Sequence, residues 1–343
     1  MGVQITELLL RKEIAIPDLR NRIISVDAPN HLYQFLSTIR QRDGSLFTDA
    51  KGNVTSHLIG LLSRTTSLLS CGIKLVYVFD GKVPELKRAE VRKRAETKEA
   101  AMEKFREAES AGNVEEMKKY ASRTSRLTPE MIGEAKRLLD ALGVPYLVAP
   151  SEGEAQAAHM AANGSCYAVA SQDADCMLFR APLLLRGLSV TGRKKLPGKV
   201  SYQNISPELI SLKENLAHLG ITHEQLVALA MLVGTDYNSG GIKGIGPKKA
   251  LALVKEKKSL PEIFSAAKWD DSFSIPWQEV YDTITKMPVS DDYKLEFSPP
   301  NREKLSSLLC DEHGFAPERV EKALDDLKAV SEDRKQKGLM DFA

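Results

Sequence analysis

Cysteine, histidine and aromatic residues are scarce in this chain of 343 residues: there are 4 cysteines and 6 histidines, and Phe, Trp and Tyr make up 6%. Cys71, Cys166, Cys176 and Cys310 stand singly, with no CxxC pair and no dense framework. That spacing excludes a local zinc module or disulfide scaffold and reads as reduced thiols. No apolar run approaches the roughly 18 residues of a spanning helix. The apolar cluster at residues 8–10 is too short for a signal peptide. No membrane association is therefore expected, although Gly2 formally fits a short myristoylation pattern. Charge of one sign is missing too: 48 basic and 46 acidic residues leave a net +2. Taken whole, that balance argues against a highly basic nucleic-acid packing protein and against an acidic disordered chain. What is present is globular: 43% of residues are hydrophobic, enough for a core in one large domain or two ordinary ones.

Three apolar runs, at 23–26, 75–79 and 168–171, have the continuous apolar character of strands buried on both faces. A fourth, 146–148, follows a Gly143-Val144-Pro145 turn, and short strands are expected at 183–185 and 200–202. Helical periodicity lies between them at 32–40, 56–70, 129–142 and 154–162, and after Gly220 at 224–233 and 248–257. Strand alternating with helix predicts an α/β domain with a mostly parallel sheet. Residues 82–126 break the pattern. They are polar, rich in Ala, Glu, Lys and Arg, and divided at Gly112-Asn113, which predicts two helices with little apolar face projecting from the core. From Arg334 the chain reads as a tail.

The acids fall in a pattern. Asp27 ends the first strand and Asp80 the second, Asp173 and Asp175 follow the third, and Glu152 and Glu154 follow 146–148 where a helix opens. In a parallel sheet these carboxyl ends share one rim, where ligands bind. Asp236, in Gly234-Thr235-Asp236-Tyr237, is positioned to join them. Each acid alone reads as a turn or cap residue. Together, unpaired, they would raise one another's pKa, a conflict that divalent cations remove. Oxygen-only ligation suits Mg²⁺ or Mn²⁺ and disfavours zinc. Two such ions about 3.5–4 Å apart activate water and stabilise a leaving oxygen in phosphoryl displacement.

Other residues suit a phosphate backbone. In Gly241-Ile242-Lys243-Gly244-Ile245-Gly246-Pro247-Lys248-Lys249-Ala250 the glycines allow a tight turn and Pro247 suits a helix start. The exposed N–H groups there, with Lys248 and Lys249, match a helix–hairpin–helix that grips a duplex without reading its sequence. Lys87 and Arg94 are seven apart on one helix face just beyond Asp80, within reach of a phosphate at the acids. Arg193-Lys194-Lys195 with Lys199 forms a second basic loop, which also reads as a solvated turn. Tyr33, beyond Asp27, suits base stacking or the core equally.

With these residues assembled, the chain resembles the flap endonucleases of the archaeal and eukaryotic structure-specific 5′ nuclease family over nearly its whole length. The resemblance is carried by Val78-Phe79-Asp80-Gly81-Lys82, by Ala149-Pro150-Ser151-Glu152-Gly153-Glu154-Ala155-Gln156-Ala157-Ala158, by Ser171-Gln172-Asp173-Ala174-Asp175, by Gly234-Thr235-Asp236-Tyr237 and by Gly244-Ile245-Gly246-Pro247-Lys248. It implies a PIN-like 5′ nuclease fold and two Mg²⁺, with Mn²⁺ as substitute, held by Asp27, Asp80, Glu152, Glu154, Asp173, Asp175 and Asp236. It implies that Lys87 and Arg94 contact the scissile phosphate, that Tyr33 stacks near the cut, and that Gly244, Gly246, Lys248 and Lys249 hold duplex DNA, usually with K⁺. It places Gly2 near the active site, a better account of that glycine than lipidation. Residues 311–319 align with a pocket for a one-nucleotide 3′ flap. There Phe315 and Arg319 fit, and His313 stands where a basic Lys is common. Val83 stands where a proline is common. Gln336, Leu339 and Phe342 match a sliding-clamp-binding box whose second aromatic is replaced by Ala343, predicting weakened clamp binding.

The resulting expectation is one nuclease domain over 1–333, followed by a clamp-binding tail over 334–343. Within the domain, residues 1–81 form an N-terminal nuclease region, 82–126 an arch, 127–220 an internal nuclease region, 221–258 a helix–hairpin–helix region and 259–333 a C-terminal helical region. The implied enzyme is a monomer that hydrolyses DNA at the base of 5′ flaps in replication (Okazaki fragment maturation) and repair, leaving 5′-phosphomonoesters. It would be intracellular, with the DNA: nucleoid or cytoplasm in an archaeon, nucleus in a eukaryote. Two alternatives are a DxD-type phosphatase with Asp27 as nucleophile and a non-catalytic binder of DNA junctions. The near-zero net charge is a cancellation. Residues 1–258 hold 37 basic and 28 acidic residues, whereas 259–333 hold 8 and 17.

Overall fold

The computed structural model describes residues 3–121, 124–188, 192–195, 202–257 and 259–340, with backbone alone for 192–195, 202–205 and 329–340. The runs with continuous apolar character become the middle of a seven-stranded sheet. Its strands are β1 (Lys12–Glu13), β2 (Ile23–Asp27), β3 (Lys74–Phe79), β4 (Tyr146–Val148), β5 (Ala168–Ala170), β6 (Leu183–Arg186) and, after a separate antiparallel hairpin of β7 (Gly192–Lys195) and β8 (Tyr202–Ile205), β9 (Glu208–Ser211). The order is β1-β9-β6-β5-β2-β3-β4. The five strands β2–β6 pair in parallel, and β9 at one edge runs against them, pairing antiparallel with both β6 and β1. Alternate side chains enter opposite cores: Val76 and Val78 face one, and Leu75, Tyr77 and Phe79 the other. Burial on both faces is why these strands carry no polar alternation.

Helices cover both faces. On one lie α1 (Ala28–Thr38), α2 (Ser56–Ser70) and, after the inserted pair α3 (Arg88–Ser110) and α4 (Val114–Ala121), α5 (Pro129–Leu142). The other face carries α6 (Gly153–Ala162), α7 (Asp175–Leu178), α8 (Leu212–Leu219), α9 (His223–Val233) and α10 (Pro247–Glu256). Further helices follow: α11 (Leu260–Ala266), α12 (Trp269–Ser272), α13 (Trp277–Thr285), α14 (Arg302–Ser306) and α15 (Pro317–Met340), which returns against α2. The chain leaves β2 through α1 and α2 toward β3 on one side, whereas β5 pairs on the other. The carboxyl end of β2 is thus a topological switch point, where an open sheet leaves a crevice.

Three expectations differ from the structure. Helix α1 begins at Ala28, not residue 32, because Asp27 accepts the Asn30 N–H as a cap and Pro29 suits a first turn. The inserted pair has a small core of its own, with Phe105 and Ala108 of α3 against Met117 and Ala121 of α4, so its apolar face is larger than its composition implied. Helix α15 runs through Met340, so the backbone at Gln336 and Leu339 is helical where a tail was expected; the segment's Glu, Lys, Arg and Gln are good helix formers. Phe342, Gly2, Lys199 and Val200 lie outside the described residues.

Candidate active site

The crevice at the end of β2 gathers the acids. Asp27 is the last residue of that strand and is 5% exposed. Its Oδ1 accepts the Asn30 N–H at 3.1 Å and its Oδ2 the Ser171 hydroxyl at 3.1 Å. The same hydroxyl lies 3.1 Å from Glu154 Oε1 and accepts the Asp173 N–H at 3.2 Å. Asn30 reaches over as well, donating from Nδ2 to Asp173 Oδ2 at 3.2 Å. Asp175 opens α7 and accepts the Val3 N–H at 2.6 Å. Residue 3 therefore lies against the acids.

Asp80 follows β3, and its Oδ1 accepts the Gly153 N–H at 2.7 Å. This close approach needs two glycines. A Cβ on Gly153 would lie 2.9 Å from Asp80 Oδ1, and one on Gly81 would lie 1.9 Å from the Ala149 carbonyl oxygen. The strand ends β3 and β4 are thus pressed together, setting Glu152 beside Asp80.

The start of the insertion contributes cations to the same place: Lys87 ends a 3-10 turn just before α3, not on the same helix as expected, and Arg94 lies in α3. Lys87 pairs with Glu152 and lies 3.3 Å from Asp236. Arg94 hydrogen-bonds Asp236 through Nη2 and Glu90 through Nε at 3.0 Å. Burial alone would lower the Lys87 pKa, but Glu152 and Asp236 outweigh it and push it up. Arg94 shifts up too, since Asp236 and Glu90 outweigh its partial burial.

The deeper acids lack such compensation. Burial, reinforced by the charges of Asp80 and Asp173, pushes Asp27 up to about 7. Burial likewise takes Asp175 to about 7, the Val3 N–H opposing it and Asp173 and Asp236 adding to it. Burial, with the charges of Asp27, Asp175 and Asp173, raises Glu154 well above the carboxylate range. Burial raises Glu152 against the pull of Lys87. Among the described residues, no three acid, His or Cys side chains close around a single ion-sized point. The donor set still fits hard divalent cations: it is carboxylate throughout, and the Cys176 thiol faces the Asp173 carbonyl 3.9 Å away. Its buried negative charge exceeds what Lys87 and Arg94 neutralise.

The remaining candidate residues sit apart from the acids. Tyr33 is 37% exposed on α1, with the Lys98 ammonium of α3 4.1 Å from its ring centre. Gly244 adopts φ +84°, a left-handed turn that favours glycine, and Gly246 caps α10. Lys248 and Lys249 are exposed there, and Lys249 Nζ donates to the Gly244 carbonyl at 3.0 Å. Phe315 is largely buried in the second core, with the Arg319 guanidinium 5.8 Å from its ring centre. His313 is buried as well. Its Nδ1 lies 3.1 Å from Asp49 and its Nε2 3.4 Å from Glu134, so it presents no free charge to a pocket.

Sequence reasoning missed the roles of Ser171, Asn30 and Glu90. Two of them left a readable signal: Asn30 stands three after a capping Asp27, and Glu90 four before Arg94 on one helix face.

Comparison with known proteins identifies the family and the fold. The XPG N-terminal domain model matches residues 1–101 and the XPG I-region model residues 143–236. Flap endonuclease 1 of Pyrococcus furiosus is 50% identical over 339 residues, 99% of this chain and 98% of the relative. The solved flap endonuclease-1 of Methanococcus jannaschii is 38% identical with a TM-score of 0.77, over 97% of this chain and 100% of that one. The catalytic core of Rad2 in complex with DNA substrate shares the fold, at 24% identity and a TM-score of 0.68, over 94% of this chain and 97% of that one. The chain belongs to the flap endonuclease family of XPG-type nucleases.

Proposed function

We infer that this chain is a structure-specific nuclease that hydrolyses DNA phosphodiesters at the base of 5′ flaps, in replication and repair. One observation carries the reading: acids from five separate segments converge at the β2 switch point, and the start of the insertion brings Lys87 and Arg94 onto them.

Asp27, Asp80, Glu152, Glu154, Asp173, Asp175 and Asp236 would hold two Mg²⁺, with Mn²⁺ as substitute. When bound, such ions supply an activated water and stabilise the leaving oxygen. The chain's own residues do the rest. Lys87 and Arg94 exchange their carboxylate partners for the scissile phosphate and offset the charge that develops on it. Tyr33, whose ring face Lys98 covers, offers a stacking surface to the nucleotide beside the cut. The helix N-terminus at Gly246, with Lys248, grips duplex backbone, and the carbonyl oxygens of that hairpin suit a K⁺. Phe315 and Arg319 belong to the 3′ flap side, where the buried His313 adds no free cation. Gln336, Leu339 and Phe342 form a clamp-binding box weakened by Ala343. The enzyme works as a monomer where the cell's DNA is.

The test is incubation of the purified protein and Mg²⁺ with double-flap DNA, with EDTA and Asp173→Ala as controls. Nicked product only with wild-type protein and metal is expected. An uncut substrate would refute the reading, and cutting by Asp173→Ala would remove that residue from the centre.

A further inference from the structure

Ser171 is 1% exposed, and its backbone is fixed by its N–H donating to the Leu185 carbonyl of β6 at 3.3 Å. Its hydroxyl is a node between three acids on three chain segments. It accepts from the Asp173 N–H, and its single proton serves either Asp27 Oδ2 or Glu154 Oε1, each 3.1 Å away. A hydroxyl has one donor and two acceptor positions; here the donor is contested by two carboxylates and one acceptor is taken by the Asp173 N–H. Asn30 closes the other side. Its backbone N–H takes Asp27 Oδ1, its amide nitrogen takes Asp173 Oδ2 at 3.2 Å, and its amide oxygen accepts the Gln172 N–H at 3.3 Å. Both oxygens of Asp27 are therefore aimed by groups that carry no charge. Neutral donors orient mutually repelling carboxylates without supplying the charge that a cation would bring, so they leave its place open. Lys87 and Arg94 do the opposite for Glu152 and Asp236.

We propose that Ser171 is a positioning residue whose hydroxyl sets Asp27 and Glu154 at the spacing in which they receive a divalent cation, with Asn30 as its counterpart for Asp173. The proposal rests on the metal-centre reading above. Groups that orient a ligand from behind typically change metal affinity about 10–100-fold when removed.

The experiment is calorimetric titration of the DNA-free protein with Mn²⁺, alongside thermal unfolding of each variant. Ser171→Ala is expected to weaken Mn²⁺ binding about 10–100-fold, and Ser171→Thr, which keeps the hydroxyl, to recover most of it. Asn30→Ala, which keeps the backbone donor, should weaken binding in the same sense; should Ser171→Ala fail to fold, this variant decides. Ser25→Ala is the matched control. The partners of that buried hydroxyl of β2 are the Ala157 and Ala168 carbonyls, each at 3.2 Å, and the Cys166 side chain, none of them an acid. It should lower the melting temperature and leave Mn²⁺ affinity unchanged. Wild-type affinity in folded Ser171→Ala, or an equal loss in Ser25→Ala, would overturn the proposal alone. A wild-type protein that takes up no Mn²⁺ would overturn the metal reading and this proposal with it.

Discussion

Arg94 of the inserted helix α3 hydrogen-bonds Asp236, 142 residues further along the chain. The bond holds a partly exposed cation against one of the acids. Arg94→Ala should slow single-turnover cutting about 10²–10³-fold, the usual effect of removing one preorganised donor to transition-state charge. DNA affinity, read by fluorescence anisotropy, should change little. A large loss of affinity would reassign Arg94 to holding the substrate.

The deep acids give a pH dependence of defined sign. Asp27 titrates at about 7 in the folded protein against an ordinary 3.8, so the folded state holds a proton that the unfolded chain has released. Its contribution to stability is complete below 3.8 and is lost as pH rises through about 7. In chelator, Asp27→Asn should therefore melt higher than wild type at pH 8, with the gap narrowing toward pH 5. A gap that widens on acidification would contradict the burial argument.

Gly81→Ala tests the contact between strand ends. The new Cβ would fall 1.9 Å from the Ala149 carbonyl oxygen, so backbone must move. The cost should be about 1–3 kcal/mol, as for overpacked sites. It should be seen as a lower melting temperature together with weaker cutting, because Asp80 moves with its neighbour.

The two hairpin lysines should separate by salt dependence. Lys248 is exposed and free to meet phosphate, so Lys248→Ala should reduce the slope of log affinity against log salt by about 1 with cutting chemistry intact. Lys249 is tied to the Gly244 carbonyl. Lys249→Ala should disturb the turn itself and lower duplex affinity beyond the loss of one charge.

Removal of residues 336–343 should abolish stimulation of cutting by a sliding clamp and leave clamp-independent cutting unchanged. Equal stimulation of the shortened chain would refute the clamp assignment.

The fold was legible where burial leaves a one-dimensional trace. Residues 75–79 are apolar without a break because both faces of β3 are covered, and Asp80 ends the run where the sheet meets the crevice. Edge strands left little trace: β1 is only Lys12–Glu13, and it exists because β9 lies beside it. Most acids of the candidate site were readable from their positions after strands, but the Ser171 hydroxyl that links two of them was not. Nothing near Ser171 in sequence shows that its hydroxyl spans Asp27 and Glu154, 144 and 17 residues away. His313 escaped for the same reason. In sequence it only stands where a basic Lys is common, and its partner Asp49 lies 264 residues earlier.

The dispersal of the acids also bears on how the chain is made. Asp27 is early, and Asp236 arrives only after about two-thirds of the polypeptide has been synthesised. Domains emerge from the N-terminus first, so a growing or prematurely ended chain lacks one wall of the crevice and the partner that anchors Arg94. A chain that stops short of Asp236 therefore cannot assemble the complete set of acids.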